Sequence, residues 1–188
     1  MKCSAYIATS VDGFIATNEG GVDWLQTAGN GKELTGDNAD MGFKAYLSSV
    51  DCMIMGRKCM ETISAMGLRP EQWPYGDLRI IVLSNTLNVA PENMEGKIEL
   101  FSGNLLDLID SLHQEGHKHA YIDGGTTIQS FIKLKLLSEI TITKAPVLLG
   151  EGIPLFGKVA QHLRLDQANA ICFENDFIQI KYHLHYQT

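Results

Sequence analysis

Apolar residues recur along this chain with two periods, and the points where one period gives way to the other mark its elements. Residues 2–9 (KCSAYIAT), 51–55, 79–84, 98–101 and 119–122 are short runs rich in apolar and β-branched side chains, which predicts strands. Between them, residues 37–49, 58–65, 105–115 and 126–133 read as helices with one buried face. Strands alternating with helices imply an α/β sheet joined by right-handed crossovers.

The pattern changes toward the C-terminus. Residues 138–145 (SEITITKA) alternate, and residues 170–174 and 177–186 flank Asn175-Asp176 with no helix between them. This is a hairpin signal, so the expected sheet is mixed and mostly parallel, with helices on both faces and antiparallel strands at one edge. No internal repeat or Pro/Gly/Ser-rich linker divides the 188 residues, and one domain over 1–188 is expected.

Composition narrows the function classes. With 45% hydrophobic residues the chain needs no disulfide or metal staple. A net charge of −7 argues against a nucleic-acid surface, and no apolar run approaches the length of a membrane span. Cys3, Cys52, Cys59 and Cys172 are widely spaced with no C-x-x-C pair and no secretory signal ahead of them, so reduced thiols and a cytoplasmic location are expected.

Three strand-to-helix or strand-to-loop junctions carry anion-binding chemistry. In IMGRK, a buried strand ends at Gly56 and Arg57 and Lys58 follow at a helix start, where free N–H groups favour an anion; two solvated surface cations are the plainer reading. Ser84 and Asn85 offer a hydroxyl and an amide at the next strand end, on the sheet edge where open α/β folds bind ligands. In YIDGGTTIQSFI, Gly124 and Gly125 make either a tight turn or a phosphate seat, with Thr126, Thr127 and Ile128 opening a helix. Asp123 would repel a phosphate if it pointed there, or could face away as a turn residue.

Other candidates read less sharply. Asp40 lies three residues before Phe43, on the helix face expected to meet the sheet with Tyr46, Leu47 and Val50. A carboxyl partly buried there would have a raised pKa and could relay a proton, or it could merely complement the helix dipole. Trp24, in a glycine-rich stretch, could cover a ligand or fill a core. Asp12 with Gly13 reads as a plain turn. His113, His117 and His119 cross a helix end, a glycine and a strand start, so their rings diverge and no metal site is expected. Cys59 has no base beside it in sequence and reads as an inert or mildly reactive thiol.

Together, SVDGFIA, MGRKCMET, VLSNT, YIDGGTTIQSFI and ITKAPVLLGEGIPLF resemble the dihydrofolate reductase-like superfamily over nearly the whole chain. The likeness is greater to the branch holding the reductase domain of the bacterial riboflavin-biosynthesis deaminase–reductase. The resemblance implies a three-layer fold and NADPH along the carboxyl edge of the sheet. On it, Gly56, Arg57, Lys58, Ser84 and Asn85 match the surroundings of the 2′-phosphate and ribose. Gly124, Gly125, Thr126, Thr127 and Ile128 match the pyrophosphate turn, and Ala8 and Ile15 the nicotinamide contacts. Cys59 replaces a threonine common in relatives. Asp40 matches the proton-relaying carboxylate, Phe43 and Trp24 the substrate contacts, while Leu78 falls where folate reductases place an arginine and Arg79 is one residue off. The implied activity is hydride transfer to a small pterin- or pyrimidine-like heterocycle by a homodimer. A nucleotide-binding sensor or a dimerisation module retaining the fold are the alternatives.

Overall fold

The computed structural model describes residues 1–159 and 162–186. Eight strands form the main sheet: β1 (Lys2–Thr9), β3 (Cys52–Gly56), β4 (Arg79–Leu83), β5 (Glu99–Phe101), β6 (His119–Asp123), β7 (Glu139–Lys144), β9 (Arg164–Cys172) and β10 (Ile178–His185). Their order is β5-β4-β3-β6-β1-β7-β10-β9. The pairs from β5 to β7 are parallel, and β10 runs antiparallel to both β7 and β9. A second, two-stranded sheet pairs β2 (Phe14–Ala16) with β8 (Ile153–Pro154); neither short strand is visible as a hydrophobic pattern.

Strand β3 explains why both sheet faces are covered. Cys52, Met53, Ile54 and Met55 are all fully buried, and alternate residues point to opposite faces. Cys52 and Ile54 join a core with Leu108, Ile109 and Leu112 of α4 (Leu105–Gln114) and Ile128, Phe131 and Ile132 of α5 (Gly125–Lys133). Met53 and Met55 join the opposite core with Met60 and Ile63 of α3 (Arg57–Ala65), against which Phe43, Tyr46 and Leu47 of α2 (Phe43–Leu47) pack. The fold is therefore α/β with the three-layer, mixed, mostly parallel arrangement that the alternating periods predict.

The helix predicted over 37–49 is shorter in the structure. Gly36–Asn38 form a single 3-10 turn and α2 begins only at Phe43. Met41 and Gly42 between them take left-handed backbone conformations (φ 55° and 88°), which no α-helix accommodates. One further turn, α1 (Trp24–Thr27), lies in the glycine-rich stretch. Among the described residues no helix is long and apolar enough to cross a membrane.

Candidate active site

Two cavities open on the carboxyl side of the sheet and share one wall residue, Ile7 of β1. The larger, about 990 Å³, runs over the ends of β3, β4 and β6. The smaller, about 520 Å³, lies between β1, α1, the start of α2 and the β9–β10 turn.

The larger cleft gathers the three junctions. Gly56, Arg57, Lys58, Ser84 and Asn85 line it, as do Gly124, Gly125, Thr126, Thr127 and Ile15. Helices α3 and α5 both start here, so the unpaired first-turn amides of two nine-residue helices open on one space. Gly124 makes the turn at φ 87°, a conformation side-chain-bearing residues avoid. At Gly56 a Cβ would stand 3.0 Å from the Thr127 hydroxyl, so its absence lets the two helix starts approach. Ile128 is not brought to the cleft: its side chain is fully buried and its amide donates to the Gly124 carbonyl at 2.9 Å.

The polar groups of this cleft differ in how free they are. Arg57 Nη1 bonds Glu61 at 2.7 Å, both side chains being more than 40% exposed; an exposed pair of this kind is weak. Lys58 makes no ion pair among the described residues. The Ser84 hydroxyl accepts the amides of Thr86 and Leu87 (3.2 and 2.9 Å), which leaves its own proton to donate. Asn85 accepts Ser102 Oγ through Oδ1 (3.1 Å) and keeps its side-chain N–H groups.

Asp123 also lines the cleft, and Cys59 Sγ donates to its Oδ2 at 2.8 Å. Burial pushes the carboxyl above its ordinary range, against the hydrogen bonds from Cys59 and the Gly124 amide. Burial, with the Asp123 charge beside it, likewise raises the Cys59 thiol well above its usual value. The thiol is therefore held in its protonated form, and it does have a carboxyl neighbour brought from 64 residues away.

The smaller cavity is lined by Ala8, Phe43, Phe177 and Leu25, with Asp40 and Lys32 among its polar groups. Asp40 Oδ1 accepts the Gly42 amide (3.0 Å) and Oδ2 the Lys44 amide (2.7 Å). The Lys44 hydrogen bond first, then that from Gly42, holds the carboxyl below its ordinary range. The expectation of a raised pKa is thus corrected: Asp40 is ionised and caps the start of α2, because the broken helix leaves amides there without carbonyl partners.

Trp24 is 9% exposed and packs with Ala145, Phe173 and Phe177. Its successors Leu25 and Gln26, not the indole, face the cavity. Tyr6 and Thr143, which the sequence does not single out, do line it. The two N–H groups of the buried Gln179 Nε2, on β10, are shared among the Tyr6 hydroxyl (2.6 Å), Thr143 Oγ1 (2.9 Å) and the Met41 carbonyl (3.1 Å), and the Tyr6 hydroxyl donates to the same carbonyl. This network pins the left-handed turn that carries Asp40.

Two other motifs have structural roles. Asp12 accepts the amides of Leu149 and Gly150 (3.2 and 2.8 Å), tying the first loop to the GEG loop beside the β2–β8 sheet. Arg79 pairs with Glu99 (2.9 Å) and Glu115 at the amino end of β4, on the far edge of the sheet from both cavities. Asp51, Cys52 and His117 bring donor atoms within 4.8 Å, but Asp51 is already taken by the Lys118 and His119 amides and Arg79 Nη1 stands 3.2 Å from His117 Nε2.

Paired helix N-termini on the carboxyl edge of a mostly parallel sheet, with an antiparallel hairpin closing one side, define a dihydrofolate reductase-like fold. The dihydrofolate reductase of Enterococcus faecalis superposes with a TM-score of 0.61 at 15% identity, covering 98% of this chain and 97% of that one. The family profile of the RibD C-terminal domain matches residues 2–178, and the chain belongs to that family. A putative riboflavin biosynthesis protein from Shewanella sp. PV-4 is 36% identical with a TM-score of 0.87, covering 99% of this chain and 100% of that one. The uncharacterized protein YyaP of Bacillus subtilis is 29% identical over 186 residues, 94% of this chain and 92% of the relative.

Proposed function

We propose that the protein is an NADPH-dependent reductase acting on a conjugated C=N or C=O bond of a small pterin- or pyrimidine-like heterocycle. The observation that carries this reading is the meeting at Ile7 of a cleft on which two helix N-termini open with an aromatic-walled cavity holding a carboxylate kept below its ordinary pKa range. Family membership in the RibD C-terminal domain supports the reductase class.

The residues present fit a dinucleotide phosphate. Gly124, Gly125, Thr126 and Thr127 would seat the diphosphate on the α5 amides, and Arg57, Lys58, Ser84 and Asn85 would hold the 2′-phosphate and its ribose. Ile7, Ile15 and Ala8 would form the apolar wall for the nicotinamide. When bound, NADPH supplies the hydride from C4 of its nicotinamide.

Phe43 and Phe177 orient the flat heterocycle, and Asp40 faces it as an anion. An ionised carboxylate accepts an N–H and raises the basicity of a neighbouring ring nitrogen, which makes a protonated C=N the better hydride acceptor. Asp40 therefore serves as the counter-ion of a protonated ring, and the proton itself comes from solvent.

Calorimetric titration with NADPH and with NADH, followed by NADPH-oxidation assays across pterins, pyrimidines and quinones, tests the reading. Micromolar NADPH binding with NADH at least about tenfold weaker, and turnover of one heterocycle class, is expected. No binding of either dinucleotide would overturn it. The tight backbone bonding of Asp40 favours a second reading, a nucleotide sensor, which NADPH binding with no turnover on any acceptor would establish.

A further inference from the structure

We propose that Asp123 is a binding residue of the larger cleft: in its neutral form it donates a hydrogen bond to a diphosphate oxygen, so that dinucleotide binding takes up a proton. This rests on the dinucleotide reading above and adds to it a residue that a charge count would set against an anion.

The argument starts from where the carboxyl stands. Asp123 is the last residue of β6, directly before the Gly124 turn, and it lines the cleft beside Gly125, Thr126 and Thr127. An ionised carboxylate next to a diphosphate would oppose binding; a neutral one offers an O–H donor and removes the repulsion. Its Oδ2 accepts the Cys59 S–H at 2.8 Å, so a proton on the carboxyl sits on the other oxygen, which can turn it toward the cleft.

Burial favours the neutral form and prevails over the hydrogen bonds from Cys59, the Gly124 amide and Tyr121, which favour the ionised one. From α3, Cys59 faces the carboxyl, and Arg57, Lys58 and Glu61 line the cleft without an ion pair to it among the described residues. From β6 itself comes Tyr121, from the segment before β4 comes Tyr75, and from α2 Tyr46, phenols that burial keeps protonated. Strand β3 offers Met55 and Gly56, α5 offers Thr127, and Glu19 stands on the opposite lip. Burial already raises the carboxyl in the free protein, and a bound diphosphate raises it further, so the two states differ in protons held.

The test measures NADPH affinity and proton uptake for the wild type and Asp123→Asn between about pH 6 and 8. Uptake is read from calorimetry in two buffers with different heats of protonation. The wild type should take up part of a proton, and its affinity should fall with rising pH relative to the variant, which binds about tenfold more tightly at the alkaline end. Subtracting the variant removes the titration of the 2′-phosphate and of histidines. Cys59→Ala, which deletes a hydrogen bond that favours the ionised form, should move the uptake to higher pH. Binding with no proton uptake and parallel pH profiles would overturn the proposal while leaving the cofactor reading intact. No NADPH binding by any of the three proteins would overturn both.

Discussion

The two cavities each hold one aspartate, and the two carboxyls are pushed in opposite directions. Asp40, partly exposed, accepts two backbone amides and is driven below its ordinary pKa. Asp123, enclosed at a strand end with a thiol as its side-chain donor, is driven above it. Desolvation disfavours a charge and hydrogen-bond donors favour it; which wins depends on how many amides reach the carboxyl. On the proposed reading the two carboxyls take opposite tasks: a permanent anion where a substrate nitrogen is to be protonated, and a neutral donor where a phosphate is to be held.

The largest expected effect comes from removing the anion. Asp40→Asn should lower turnover about a hundredfold with NADPH affinity unchanged, since the variant keeps an acceptor but loses the charge; kinetics alongside calorimetry checks it, and unchanged turnover removes Asp40 from the mechanism. In the other cavity, Arg57→Ala should weaken NADPH about thirtyfold and NADH by no more than about twofold, as a charge-assisted contact to the 2′-phosphate requires. Equal losses for both would break that assignment.

A third carboxyl, outside both cavities, sharpens the contrast by stability alone. Burial would raise Glu139, but Lys181 (2.8 Å) and Lys2 (2.6 Å) outweigh it and hold the carboxyl at about 2. Its folded value lies below its unfolded value, so its contribution is present above about pH 4.5 and lost as pH falls toward 2. Glu139→Gln should cost about 1 to 2 kcal/mol at neutral pH, allowing for the exposed lysines, and nothing near pH 2, by urea unfolding. The smallest effect is Tyr6→Phe, which loosens the turn under Asp40 and should raise the substrate KM about threefold without touching NADPH affinity.

The legibility of the two cavities differs for the same physical reason. The larger cleft is built from backbone amides at strand-to-helix junctions, and such junctions are local: GRK from the last residue of β3, SN after β4 and DGGTT from the last residue of β6 stand in the sequence where they stand in the fold. Ile128 is the exception, because its amide belongs to the fourth residue after Gly124 and is consumed by the helix. The smaller cavity depends on contacts far apart in sequence. Gln179 reaches Tyr6 across 173 residues and Met41 across 138, and no spacing rule predicts that. The short α2 follows from the same network: Tyr6 and Gln179 hold the Met41 carbonyl in a left-handed turn, so the helical periodicity upstream of Phe43 goes unused. Trp24 carried two readings because an indole on a glycine-rich loop looks alike in sequence whether it packs inward or over a ligand; only Phe173 and Phe177, from the far hairpin, place it inward.

The most direct test of the contrast is a carboxyl-carbon NMR titration of the free protein, with Asp40 and Asp123 assigned through Asp40→Asn and Asp123→Asn. One resonance titrating below the ordinary aspartate range and the other above it is the predicted result. Two carboxyls titrating together in the ordinary range would contradict the account, since neither the fixed anion nor the neutral donor would then exist.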